Sequence, residues 1–100
     1  MSREEAILEA IRKGLESFSE SLAGHTVVLF GSRAQRTHGE RSDFDLGVYG
    51  QQPLPLKAFH AIGDFLENVP TLHRIDWVDL NRVTPAFRES ALSKAEVLYG

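Results

Sequence analysis

Apolar side chains recur at helical spacing through the first part of the chain, at Ile7, Leu8, Ile11, Leu15, Phe18 and Leu22. Glu9, Arg12, Lys13 and Glu16 take the opposite side. The pattern predicts an amphipathic helix that lays one stripe on a core. Ser2-Arg3-Glu4-Glu5 reads as its capping box, with the Ser2 hydroxyl accepting from the Glu5 amide. Gly24 supplies a left-handed stop. The period then changes. Residues 26–30 form a nearly continuous apolar run rich in β-branched side chains, which suits a strand buried on both faces. Residues 32–37 can form a brief helix with Ser32 as its N-cap, ended at His38-Gly39. Residues 44–49 alternate, placing Phe44, Leu46 and Val48 on one face and Asp43, Asp45 and Gly47 on the other.

A proline-marked turn over residues 51–55 leads to a second long helix over 56–69, with Phe59, Ile62, Leu66 and Val69 on one side and Pro70 breaking it. Residues 74–80 read as a third strand. Trp77, like Phe59 in the helix before it, is most simply a core residue. Thr84-Pro85 is an N-cap followed by proline at the first helical position, so a last helix starts there, with Phe87, Ala91 and Leu92 on its apolar side. The apolar tail at 96–99 is either a packed segment or part of an interface. The order predicts an α/β or α+β fold: a small sheet of about three to four strands with flanking helices, mostly on one side. Residues 1–100 are expected to form one domain, with no repeat and no linker.

Composition narrows the function more than the fold. The hydrophobic fraction of 42% and charged fraction of 25% suit an ordinary globular domain. A formal net charge of −3 argues against a protein that tracks nucleic-acid backbones, although Arg33, Arg36 and Arg41 form a local basic group. There is no cysteine, so neither a disulfide framework nor a thiolate metal site is available. No apolar run is long enough to span a bilayer, and the polar start Met-Ser-Arg-Glu-Glu has no signal-peptide pattern, so the cytoplasm is the expected location. The four histidines show no ligand spacing.

The candidate chemistry lies between residues 30 and 48. Gly31-Ser32 follows the first predicted strand directly, and Asp43 and Asp45 stand one residue apart at the next. The connection from Tyr49 to Arg74 contains a helix, as a parallel pair of strands requires. Parallel pairing sets Asp43 and Asp45 level with Asp76, while Asp79 falls several ångströms away at ~3.3 Å of rise per residue. An antiparallel first strand delivers Gly31 and Ser32 to the same edge. Two unit charges about 4 Å apart repel by about 4 kcal/mol at an effective dielectric constant of about 20, so three carboxylates call for a cation. An all-oxygen set with room for phosphate favours Mg²⁺ over Zn²⁺. Two ions shared by Asp43 and Asp45, one of them also held by Asp76, suit in-line phosphoryl displacement. Gly31 lets a phosphate approach the backbone, Ser32 offers a hydroxyl and helix-opening amides, and Arg33 adds a cation for the nucleotide. The loop is not a Walker A loop, since no Gly-Lys-Ser/Thr follows.

Gly31-Ser32, then Ser42-Asp43-Phe44-Asp45-Leu46, then Ile75-Asp76-Trp77-Val78-Asp79-Leu80 together resemble the nucleotidyltransferase superfamily that shares its fold with DNA polymerase β, and among it the minimal, MNT-domain members. The resemblance runs from the first strand to the helix after Asn81-Arg82. It implies a polymerase β-like mixed sheet, a Gly-Ser turn that binds the triphosphate, and Mg²⁺ bound by Asp43, Asp45 and Asp76. It also implies transfer of a nucleoside monophosphate, commonly AMP from ATP, to a hydroxyl. Minimal members often pair with a helical HEPN protein as antitoxins, some by adenylylating it. Arg36 departs from the family's usual glycine, which admits a second expectation: an antitoxin that binds nucleotide weakly and neutralises its partner by occlusion. Transfer to a small molecule or an RNA end is a third.

Overall fold

The computed structural model describes residues 2–35 and 43–100. Helices and strands alternate in the order α1 (Arg3–Glu16), β1 (His25–Phe30), α2 (Gly31–Ala34), β2 (Phe44–Gly50), α3 (Leu56–Glu67), β3 (Ile75–Asp79), α4 (Pro85–Leu92) and β4 (Glu96–Tyr99). The strands make one mixed sheet in the spatial order β3-β2-β1-β4. β1 pairs antiparallel with β2 and with β4, and β2 pairs parallel with β3.

Strand alternation sorts the apolar residues into two layers. Val27, Leu29, Phe44, Leu46 and Val48 face α1 and α3, which contribute Leu8, Ile11, Leu15, Ile62 and Leu66 to one buried cluster. Each fully buried side chain of this kind contributes about 1.5–3 kcal/mol of transfer free energy. Trp77 joins this layer, stacked on Phe59 with ring centroids 5.3 Å apart, and its indole N–H donates to the Phe59 carbonyl at 2.9 Å. On the other face Val28, Phe30, Leu80 and Ala91 form a smaller cluster under α4. The helices are therefore divided unequally between the faces, with the larger pair on one side.

Several elements end or begin elsewhere than their local pattern predicts. α1 starts as expected, with the Glu5 amide donating to the Ser2 hydroxyl at 3.1 Å, but it stops at Glu16 rather than running on to Gly24. The Ser17 hydroxyl donates to the Gly14 carbonyl at 2.6 Å, and the amides of Ser17, Phe18 and Ser19 each reach back only three residues. This tightening converts the last apolar positions into a run of turns that still buries Leu22. Gly24, at φ 78°, turns the chain into β1. α3 ends at Glu67, two residues before Val69. The apolar tail is a fourth strand, seated on the free edge of β1. Ser32 lies inside α2 rather than capping it: the cap position is Phe30, with no side-chain cap bond. The expected end of that helix at His38-Gly39 falls outside the described residues. No helix among the described residues is long and apolar enough to cross a membrane.

Candidate active site

The ends of β1, β2 and β3 meet at one corner of the sheet. Phe30, the last residue of β1, is the register partner of Asp45 in β2, and Asp45 is the register partner of Asp76 in β3. Asp43 immediately precedes β2 and is exposed. The parallel β2–β3 pair is fixed from its far end. Asn81 bonds both backbone groups of Gly50, accepting from its amide at 3.0 Å and donating to its carbonyl at 2.8 Å. Asp79 accepts from the amides of Leu54 at 2.9 Å and Asn81 at 2.8 Å. Only 5% exposed, Asp79 spends its carboxylate on these turns. It is a structural carboxylate, and Asp76 is the one that faces the corner.

Gly31 follows Phe30 at φ +75°, a left-handed conformation that L side chains rarely adopt. A Cβ there would run into Oδ2 of Asp45, so the bend passes directly over that carboxylate. Gly31, Asp43, Asp45 and Asp76 thus belong to one corner, and Ser32 follows Gly31 in α2. Asp45 carries the electrostatic consequence. Its pKa is raised above the usual 3.8 by burial, by the charge of Asp76, by a side-chain hydrogen bond to Asp76 and by the charge of Asp43. A hydrogen bond between two carboxyl groups needs a proton on one of them, which is the response of crowded acids to missing positive charge.

Arg33 does not join this corner. It is 4% exposed, and its guanidinium lies 4.0 Å from the centroid of the Phe44 ring. It donates to Glu4 Oε1 at 3.0 Å, and its other terminal nitrogen approaches His73 Nδ1 at 3.4 Å. Phe44 points to the α1–α3 face and Asp45, by alternation, to the other, so the sheet separates Arg33 from the carboxylates. Arg33, expected to contact nucleotide, thus lies against an apolar ring and a carboxylate from α1, on the face away from Asp45. Arg36 and Arg41, the other basic candidates, lie outside the described residues.

Arg74 is a cation beside this corner that stands outside the motif residues. Its Nε donates to Oδ1 of Asp76 at 2.8 Å. The spacing Arg-x-Asp at a strand start, which places both side chains on one face, was the available signal. Among the described residues no group of three His, Asp or Glu side chains is drawn close enough to hold a metal ion. The donor chemistry nonetheless fits a hard divalent cation: oxygen ligands in excess of positive charge, with one carboxyl driven towards its protonated form. A groove of about 490 Å³ runs along the outer edge of β3, from Arg74 and Asp76 past Trp77 to Gly63 and Leu66 of α3.

The family model described as polymerase beta, nucleotidyltransferase matches residues 13–100. Among solved structures, the fold is similar to that of a chain in a toxin–antitoxin complex with AMP-PNP, with TM-score 0.67, 22% identity and coverage of 90% of this chain and 73% of that one. It is also similar to a chain in a mutant of the toxin–antitoxin MntA–HpeT, with TM-score 0.65, 19% identity and coverage of 90% and 72%. A third is a tri-AMPylated Shewanella oneidensis HEPN toxin in complex with MNT antitoxin, with TM-score 0.63, 18% identity and coverage of 94% and 72%. At these identities the likeness is one of fold. No curated protein matches the chain.

Proposed function

The chain belongs to the polymerase beta nucleotidyltransferase family, and on that premise we propose that it transfers a nucleoside monophosphate, AMP from ATP, to a hydroxyl on a helical HEPN-type partner, as the antitoxin of a toxin–antitoxin pair. In this reading residues 1–100 act as one minimal nucleotidyltransferase domain, working in the cytoplasm. The observation that carries it is the register Asp45↔Asp76 directly beneath the Gly31 bend. Phosphate-binding backbone and paired carboxylates then occupy the same corner. The solved toxin–antitoxin complexes of similar fold, one with AMP-PNP and one holding an AMPylated toxin, support the choice of nucleotide and partner.

Each residue has a stated task. Gly31 lets the triphosphate approach the backbone, and Ser32 contributes its hydroxyl and amide. Asp43, Asp45 and Asp76 would hold Mg²⁺, which supplies charge neutralisation of the triphosphate and a lowered pKa for the attacking hydroxyl. The acceptor oxygen bonds to the α-phosphorus as the bond from that phosphorus to the bridging oxygen breaks, and pyrophosphate leaves with the electron pair. The proton lost by the hydroxyl passes to the carboxylates or to water.

The test is transfer of label from α-labelled ATP, with Mg²⁺, to a HEPN-type protein encoded beside this one. Transfer is expected to fall at least ~100-fold in Asp43→Ala/Asp45→Ala, since losing even a supporting group behind a metal ligand costs ~10–100-fold. Transfer that survives this change would sink the proposal. A second reading is favoured by one observation, that the described carboxylates are not gathered into a metal-ready group. It is an antitoxin that binds nucleotide weakly and neutralises by occlusion. There the double variant keeps neutralising as well as binding, whereas a variant that binds but no longer neutralises excludes it.

A further inference from the structure

We propose that Arg74 competes with the divalent metal for Asp76, holding the third carboxylate until an incoming cation displaces the guanidinium. The inference rests on the metal-dependent reading above and deepens it by naming a residue that sets the metal concentration at which the site assembles. Asp76 stands between two partners of opposite character. On one side is Asp45, its register partner in β2, and on the other the Arg74 guanidinium, with Nε 2.8 Å from Oδ1. An oxygen that accepts a charge-assisted hydrogen bond of that length has a lone pair engaged by the guanidinium. A metal ion carries twice the charge of the guanidinium and repels it across the same carboxylate. The two cations therefore compete at Asp76.

Arg74 is built to leave. Its backbone is fixed, because its carbonyl accepts from the Phe44 amide at 2.9 Å and extends the β2–β3 pairing. Its side chain, 76% exposed, borders the open groove along β3 and has room to swing there. This sets Arg74 apart from Arg33, whose guanidinium is enclosed. It also accounts for carboxylates that share one corner without forming a three-ligand group among the described residues. An exposed ion pair shifts an equilibrium by about fivefold at most, so the competition is a modest adjustment rather than a block.

The experiment is a Mn²⁺ titration, reading the free ion by electron paramagnetic resonance, of the wild type, Arg74→Gln, Arg74→Lys and Asp45→Asn. Arg74→Gln should bind Mn²⁺ about two- to fivefold more tightly, and Arg74→Lys should stay close to the wild type because it keeps the charge. A merely structural Arg74 would not produce this division between Gln and Lys. If Mn²⁺ binds, is lost in Asp45→Asn and is unchanged or weaker in Arg74→Gln, the competition is wrong while the metal site stands. If neither the wild type nor Arg74→Gln binds Mn²⁺, both readings fall together.

Discussion

Two aspartates three residues apart in β3, Asp76 and Asp79, are chemically identical and do opposite things. Asp79 is buried against two backbone amides and the Arg82 guanidinium, and Asp76 is half-buried beside another acid. The difference for Asp45, the neighbour of Asp76, can be read in its pH dependence. A carboxyl whose folded pKa lies above its unfolded value binds its proton more tightly when folded. It stabilises the fold below the unfolded pKa, and that contribution is lost as pH rises from about 4 through the raised value. In metal-free buffer, Asp45→Asn should therefore be the more stable protein at pH 7. The difference should shrink towards zero near pH 4. Urea unfolding across that range is the measurement, and a wild type more stable than the variant at pH 7 would contradict the assignment.

At the scale of elements, one glycine makes room for a ring where α1 meets α3. A Cβ on Gly14 would run into the ring of Phe65, which in turn packs against Phe18 with centroids 6.0 Å apart. Glycine to alanine within a helix normally gains about 1 kcal/mol. Here the added methyl has to push a half-buried ring out of its place, and overpacking costs about 1–3 kcal/mol. Gly14→Ala should therefore lose stability, and Phe65→Leu should relieve part of that loss. A double-mutant cycle by thermal unfolding tests this, and additive effects would show that the ring is not the obstacle. The same helix shows the limit of local pattern. Its apolar spacing continues to Leu22, but hydrogen bonds around Ser17 end it at Glu16.

For the whole molecule, the sheet order determines where function can reside. With β2 flanked by β1 and β3, Asp45 is, among the described residues, the one whose register partners include both the end that carries Gly31 and the strand that carries Asp76. The larger helix pair covers the face away from Asp45, and α4 covers only part of the other. A ligand that binds the folded state stabilises it by mass action, about 2.7 kcal/mol at one hundred times its dissociation constant. Mg²⁺ and ATP together should raise the unfolding temperature of the wild type, and this increase should vanish in Asp43→Ala/Asp45→Ala. An equal increase in both proteins would place nucleotide binding elsewhere.

The residues by themselves settled the order of elements as far as α4, the cap at Ser2, the start of α4 at Thr84-Pro85 and the alternation that separates Phe44 from Asp45. All of these follow from interactions within a few positions along the chain. A helical crossover permits parallel strands, and once β2 and β3 pair so, Asp45 stands level with Asp76. Tertiary contact decided the rest. The four-residue tail became β4 only because β1 had a free edge, and so short a run has no period to read. Arg33 went inside because Glu4, 29 positions earlier, and the Phe44 ring were there to receive its charge. Arg74 found Asp76 because the strand holds both side chains on one face, beside an acid with charge to spare. Sequence pattern says which groups seek burial or a counter-charge; only the folded chain decides which partner each one meets.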